Sequence, residues 1–145
     1  MRIDVLNGAN TDQYGRDPSG AYGPLTLADI EAQCRARAAS GEADIVFRQS
    51  NHEGDLVGWL HEARTGADGL VINAGSLSYT SISIRDALAA FGKPAIQVHV
   101  SNVFTREPFR HISPLSAVVS GCIIGMGPAG YALAVTALID QLRRT

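Results

Sequence analysis

Five short runs rich in apolar residues, separated by segments with helical periodicity, constrain the fold of this chain more than any other feature. The runs lie at residues 2–6, 44–49, 69–73, 95–100 and 118–124. Apolar strands that are joined by helices are typical of parallel sheets, because helices cover both faces of such a sheet. The alternation therefore predicts a parallel sheet of five strands.

The segments between the runs carry apolar residues at helical spacing. Thr26 is expected to cap a first helix that turns Ile30, Cys34 and Ala38 inward. Further helices are predicted at residues 55–64, 82–91 and 129–142. Five strand–helix units fit a flavodoxin-like three-layer α/β sandwich with strand order 2-1-3-4-5. We expect residues 1–145 to form a single domain.

Charge and hydropathy exclude several classes of partner. The net charge is -2 and the basic residues are scattered, which predicts neither a nucleic-acid partner nor a membrane-surface partner. No segment approaches the roughly 20 apolar residues of a membrane helix, and the first residues lack the apolar core of a signal peptide. A cytoplasmic location is expected. Cys34 and Cys122 lack metal-ligand spacing and lie in apolar surroundings, so both are expected to be buried free thiols.

Polar residues follow four of the predicted strands, where ligands bind in open parallel sheets. They are Asn7–Asn10, Asn51–Glu53, Asn73–Ser76 and Ser101–Asn102. Converging amides and hydroxyls predict a pocket that forms hydrogen bonds with a small polyhydroxylated ligand. His99 lies beside them, and its unperturbed pKa of about 6.5 suits proton transfer near neutral pH.

The longest predicted loop, at about residues 8–24, has the length of an active-site lid. It carries Tyr14, Arg16 and Tyr22. A tyrosine is a weak base at its ordinary pKa of about 10, but a nearby guanidinium lowers that pKa. Two interpretations are open at this point: a lid in which Arg16 activates Tyr22 as a base while His99 is the acid, or a solvated loop whose Tyr22 packs back on the sheet. The residues alone favour the second.

Several separate stretches resemble the type II 3-dehydroquinate dehydratases, in order and over essentially the whole chain. The stretches are residues 7–10, 22–27, 49–54, 59–63, 73–75, 80–81, 85–87, 98–103, 106–111 and 130–131. The resemblance implies loss of water from 3-dehydroquinate to give 3-dehydroshikimate, by anti elimination through an enolate and without a metal ion or organic cofactor. It also implies a homododecamer, a tetramer of trimers, in which Asp86 reaches a neighbouring subunit's site.

The resemblance assigns roles to individual residues. Tyr22 matches the base, Arg16 the arginine that holds it as a phenolate, and His99 the general acid. Asn10 matches the residue that stabilises the enolate through an ordered water. The implied substrate-binding residues are Asn73, Tyr79, Asp86, Val100, Ser101 and Arg110, with Arg110 suited to the substrate carboxylate.

The chain departs from the family pattern at several places, among them a polar stretch at residues 11–14 and Phe104-Thr105 in place of a histidine-alanine pair. Gln97 replaces a glutamate that orients the catalytic histidine, and Tyr79 replaces a ligand-binding histidine. The register of the loop also leaves open whether Arg16 or Asp17 takes the arginine position. Two hypotheses follow: a working dehydratase, in biosynthesis or in quinate breakdown, or a divergent paralogue that binds a related cyclic polyhydroxy carboxylate with altered or no catalysis.

Overall fold

Five parallel strands form one sheet in the computed structural model, which describes residues 1–16 and 20–145. The strands are β1 (Arg2–Ala9), β2 (Asp44–Gln49), β3 (Gly69–Gly75), β4 (Ala95–His99) and β5 (Gly121–Ile124). Their order in the sheet is β2-β1-β3-β4-β5, and each neighbouring pair is parallel. The predicted flavodoxin-like α/β architecture and strand order are confirmed.

Helices pack on both faces of the sheet. They are α1 (Leu27–Ser40), α2 (Glu53–Gly66), α3 (Leu77–Thr80), α4 (Ile82–Phe91) and α5 (Ala129–Arg144). The predicted cap of α1 is a full capping box: Thr26 Oγ1 accepts from the Asp29 amide, and Asp29 accepts from the Thr26 amide. The single turn of α3 was not predicted, because four residues are too few to show a helical period.

Two apolar layers enclose the sheet. On one face Ile3, Val5 and Val71 pack with residues of α1 and α5, while on the other Leu6 and Leu70 pack with residues of α2 and α4. The successive residues Val5 and Leu6 of β1 thus point to opposite layers, so both are apolar. Among the helices within the described ranges, we find none long and apolar enough to cross a membrane.

Two expectations near the last strand are wrong. The strand predicted from residue 118 begins at Gly121, because Pro114 starts a 3-10 turn at Pro114–Val118 whose Leu115 packs into the core. Cys122 is exposed rather than buried, since β5 is the edge strand and pairs with β4 alone. Cys34 is buried as expected, and burial raises the pKa of its thiol to about 12.

The carboxyl ends of β1 and β3 approach each other closely enough to require glycine. A Cβ on Gly8 would lie 2.1 Å from the Ala74 carbonyl oxygen, and Gly75 has a φ of 62°. Both strands also run further than predicted, and Ala9 is paired with Gly75. Ala9 and Gly75 therefore lie next to the polar residues at the carboxyl edge of the sheet.

Candidate active site

A cavity lies at the carboxyl edge of the sheet, as the strand order predicts. The ends of β1, β3 and β4, the loop that contains Tyr22 and the segment from 100 to 110 all contribute to it. The residues that line it are Ala9, Asn10, Tyr14, Tyr22, Asn73, Gly75, Ser76, Tyr79, His99, Val100, Ser101, Val103, Arg106 and Arg110. Tyrosine, histidine and guanidinium groups thus share one small space.

His99 ends β4 and is only 7% exposed. Its Nε2 lies 2.9 Å from Nε2 of Gln97, the neighbour two residues earlier on the same face of the strand. The Tyr79 ring stacks on the imidazole, with centroids 5.9 Å apart and planes 15° apart. Burial disfavours the charged ring and lowers the pKa of His99 from 6.5 to about 4. A protonated His99 would therefore be a strong acid.

Tyr22 is half-buried and contacts the guanidinium of Arg106. Arg106 Nη1 donates to Tyr22 Oη at 3.0 Å and to Ser101 Oγ at 3.1 Å, and the guanidinium carbon lies 5.4 Å from the centre of the Tyr22 ring. A cation that donates to a phenol oxygen favours the phenolate. The geometry therefore provides Tyr22 with the positive neighbour that a tyrosine base requires.

That neighbour is not the arginine suggested by the sequence. Arg16 is exposed, and it is not among the described residues that line the cavity. Asp17, the other candidate for the arginine position, lies outside the described residues. The role of Arg16 stays a prediction, whereas the contact of Arg106 with Tyr22 was missed because 84 residues separate the two in the chain.

Tyr14 is the second tyrosine of the cavity, with its ring centre 4.8 Å from that of Tyr22. Its hydroxyl accepts from Asn73 Nδ2 at 2.8 Å, and the same amide donates to Tyr131 Oη, also at 2.8 Å. Burial raises the pKa of Tyr14 far above its usual value. Of the two tyrosines, Tyr22 is therefore the one suited to act as a base.

Asn73 has little capacity left for a ligand. Both hydrogens of its amide are donated to tyrosine hydroxyls, and its Oδ1 accepts from the Gly75 amide at 3.1 Å. Only a second lone pair on Oδ1 remains, so Asn73 is able to accept but not to donate. The buried network continues through Tyr131, which donates to Asn7 Oδ1 at 2.7 Å.

Asn10 lies at the mouth of the cavity in a left-handed conformation, with a φ of 68°. Asparagine tolerates that conformation better than most residues. Its backbone amide donates to Asn51 Oδ1 at 2.9 Å, and Gln49 donates to the same oxygen. The end of β2 thus fixes the backbone from which the Asn10 side chain projects.

Two guanidinium groups give one wall of the cavity a positive charge. Arg106 contacts Tyr22 and Ser101, and Arg110 lies 5.9 Å from the centre of the Tyr79 ring. Arg110 also pairs with the exposed carboxylate of Glu107. None of the cavity-lining residues within the described ranges is acidic. The site is therefore suited to an anionic ligand.

Asp86 is the implied ligand-binding residue that lies furthest from this arrangement. It is exposed on α4, pairs with Arg85 at 3.1 Å and does not line the cavity. A contact between Asp86 and a ligand in the cavity of its own chain is therefore not indicated.

Comparison with known proteins identifies the family. A family model described as "Dehydroquinase class II" matches residues 1–139. The chain belongs to the class II dehydroquinase family. Among curated relatives, a 3-dehydroquinate dehydratase of Azorhizobium caulinodans is 56% identical over 136 residues, which cover 94% of this chain and 92% of the relative. One from Chelativorans sp. is 50% identical over 141 residues and 97% of each chain.

Solved structures agree with this class II dehydroquinase assignment. The type II dehydroquinase of Propionibacterium acnes has a TM-score of 0.92 at 39% identity, with 96% of each chain covered. The type II dehydroquinase of Butyrivibrio crossotus also has a TM-score of 0.92, at 38% identity, with 95% of this chain and 97% of that chain covered. The resemblance inferred from the sequence is confirmed.

Within this class II dehydroquinase, most residues implied by the resemblance meet in one cavity. Those that line it are Asn10, Tyr22, Asn73, Tyr79, His99, Val100, Ser101 and Arg110. Gln97 does not line the cavity but contacts His99 Nε2, and its role in orienting the ring stays a prediction. Arg106 also lines the cavity, and its position there was not predicted, although it belongs to one of the stretches that carried the resemblance. The roles of all these residues are taken up below as proposals.

Proposed function

We propose that this chain dehydrates 3-dehydroquinate to 3-dehydroshikimate. The observation that carries the proposal is the placement of Tyr22, with its hydroxyl bonded to the Arg106 guanidinium, in the same cavity as His99. A base and an acid in one pocket are the minimum that an elimination of water requires. The names of the curated relatives, 3-dehydroquinate dehydratase, support the choice of substrate.

The base in this mechanism is the Tyr22 phenolate. It removes a proton from the carbon next to the substrate ketone, and the C–H electrons form an enolate. Arg106 stabilises the phenolate before that step through its hydrogen bond to Tyr22 Oη. Asn10, at the cavity mouth, stabilises the enolate oxygen through an ordered water. Arg16, on the same loop as Tyr22, is a second candidate cation for the phenolate.

The acid is His99 in its protonated form, which is a minor species at neutral pH because burial lowers the pKa of the ring to about 4. The enolate electrons form the new double bond, the C–O bond on the opposite face breaks, and His99 gives its proton to the departing hydroxyl. One water leaves, Tyr22 has gained a proton and His99 has lost one, and exchange with solvent restores both. Gln97 holds the ring through the contact between the two Nε2 atoms.

Substrate binding uses the positive wall of the cavity. Arg110 binds the carboxylate, and Ser101 and the Val100 backbone bind oxygens of the ring. The position of all three in the cavity lining supports these roles. Asn73 accepts through Oδ1, and Tyr79 covers the face of His99.

Asp86 acts at the site of a neighbouring subunit in a homododecamer built as a tetramer of trimers. The reaction takes place in the cytoplasm and uses neither a metal ion nor an organic cofactor.

Turnover of 3-dehydroquinate tests the proposal directly. The product has a conjugated enone, so purified protein mixed with substrate should give a steady rise in ultraviolet absorbance. A Tyr22→Phe variant is the matched control, since it keeps the ring but loses the ionisable hydroxyl. Binding of 3-dehydroquinate in a calorimeter without any turnover would exclude the dehydratase and favour the paralogue that binds a related cyclic carboxylate.

A further inference from the structure

The buried amide of Gln97 is bonded at both ends. Gln97 has 0% exposure. Its Nε2 lies 2.9 Å from Ser113 Oγ and 2.9 Å from His99 Nε2. Its Oε1 accepts from Ser116 Oγ at 2.6 Å and from the Cys122 thiol at 3.6 Å. The two ends of an amide have the same shape but opposite hydrogen-bonding character, so its orientation decides what His99 meets.

Ser113 fixes that orientation. Its hydroxyl donates to the Ser78 carbonyl oxygen at 2.7 Å, and a carbonyl oxygen only accepts. The single hydrogen of Ser113 is therefore used, and toward Gln97 its oxygen is able only to accept. The amide nitrogen of Gln97 must face Ser113. Ser116 imposes no such requirement, because its hydroxyl has no second partner among the contacts described and is free to donate or to accept.

The orientation of Gln97 determines the tautomer of His99. One hydrogen of the amide goes to Ser113, and the other points to His99 Nε2. Two N–H groups facing each other repel, so Nε2 must present its lone pair and the proton of the neutral ring lies on Nδ1. We propose that Ser113 is a positioning residue which, through Gln97, holds His99 in the neutral tautomer protonated on Nδ1.

The surroundings of His99 do not oppose this arrangement. Tyr79 stacks on its ring, and the other titratable or charged groups of the cavity are Tyr14, Tyr22, Arg106 and Arg110. Cys122 contacts the Gln97 amide from β5. No carboxylate within the described ranges lines the cavity to attract an imidazolium. Protonation of Nε2 would also require the amide to rotate and to break its bond with Ser113.

The tautomer is measured by ¹⁵N NMR of histidine-labelled protein at neutral pH. The His99 signals are assigned by their loss in a His99→Asn variant. The expected spectrum has a protonated, pyrrole-type Nδ1 and an unprotonated, pyridine-type Nε2. In Ser113→Ala the amide is free to rotate, and its oxygen then accepts from His99 while its nitrogen donates to Ser116. Nε2 should therefore become pyrrole-type in that variant.

Ser116→Ala is the matched control, because it removes a hydroxyl from the other end of the same amide. It should leave the wild-type tautomer in place, and Ser113→Thr, which retains the hydroxyl, should do the same. Gln97→Glu should give the Nε2-protonated tautomer, since a carboxylate only accepts, and it tests the inference even where Ser113→Ala does not fold.

A pyrrole-type Nε2 in the wild type would overturn the proposal, as would an unchanged His99 spectrum in Ser113→Ala. The tautomer does not depend on the proposed function, because the NMR experiment needs neither substrate nor turnover. A protein that shows the expected tautomers without dehydrating 3-dehydroquinate would refute the proposed function alone.

Discussion

Burial of His99 should make the stability of this protein depend on pH between about 4 and 6.5. The pKa of the folded ring is about 4, whereas an unfolded histidine titrates near 6.5. As the pH falls, the unfolded chain takes up the proton first and is stabilised relative to the native state. The contribution of the neutral ring is complete above pH 6.5 and is lost progressively as the pH falls toward 4.

The size of the loss follows from the two pKa values. At about pH 5, proton binding to the histidine shifts the folding equilibrium toward the unfolded state by a factor of roughly thirty. This factor corresponds to about 2 kcal/mol of unfolding free energy. The full shift of about 2.5 units corresponds to about 3 kcal/mol, reached only below the folded pKa. A loss of 2 kcal/mol is large against the total stability of an ordinary domain, about 5–15 kcal/mol.

Urea denaturation measures this effect. The unfolding free energies of the wild type and of His99→Gln are determined at about pH 7.5 and about pH 5, and the change between the two pH values is compared. Other titrating groups contribute equally to both proteins, so the wild type should lose about 2 kcal/mol more than the variant. His61 is exposed on α2, and His61→Gln should behave as the wild type does. Parallel losses in wild type and His99→Gln would show that His99 is not held neutral by burial.

Three further predictions concern the reaction itself. Tyr22→Phe should lower kcat by about 10²-fold or more in the ultraviolet assay, because the base is lost, and an unchanged rate would exclude Tyr22. Arg106→Gln should lower kcat by about tenfold or more, because Tyr22 loses the guanidinium that donates to its hydroxyl, whereas Arg16→Gln should lower kcat less. Gln97→Glu should raise the acid limb of kcat/KM by about one pH unit, because a carboxylate stabilises the imidazolium, and an unmoved limb would show that residue 97 does not influence the acid.

Much of the fold was predictable because its signals are local. Helix α1 is an example. Its capping box at Thr26 and the helical spacing of its buried residues lie within one short stretch of the chain; those buried residues are Ile30, Cys34 and Ala38. The last strand was misplaced because Val118 and its neighbours are apolar for a different reason. They follow Pro114 in a 3-10 turn that packs against the core, and apolar composition alone does not distinguish that turn from a strand.

The site was predictable where strand ends determine it and unpredictable where it depends on distant contacts. His99 and Asn73 lie near the carboxyl ends of β4 and β3, and Asn10 follows β1, so the strand order alone brings them together. The charge partner of Tyr22 follows no such rule. Arg16 is six residues from Tyr22 and attracted the prediction, but the hydrogen bond comes from Arg106, and sequence spacing gives no measure of such a contact.

The position of Arg106 links the two halves of the acid–base pair. His99, Ser101 and Arg106 lie on one continuous segment that leaves β4, and Arg106 is held there by its bond to Ser101 as well as by Tyr22. Tyr22, by contrast, comes from the loop between β1 and α1. In the proposed mechanism the base and the cation beside it come from different segments, and the hydrogen bond from Arg106 Nη1 to Tyr22 Oη joins them. A displacement of the loop would break this hydrogen bond and would move the proposed base away from the cavity that His99 also lines, so we expect such a change to lower turnover.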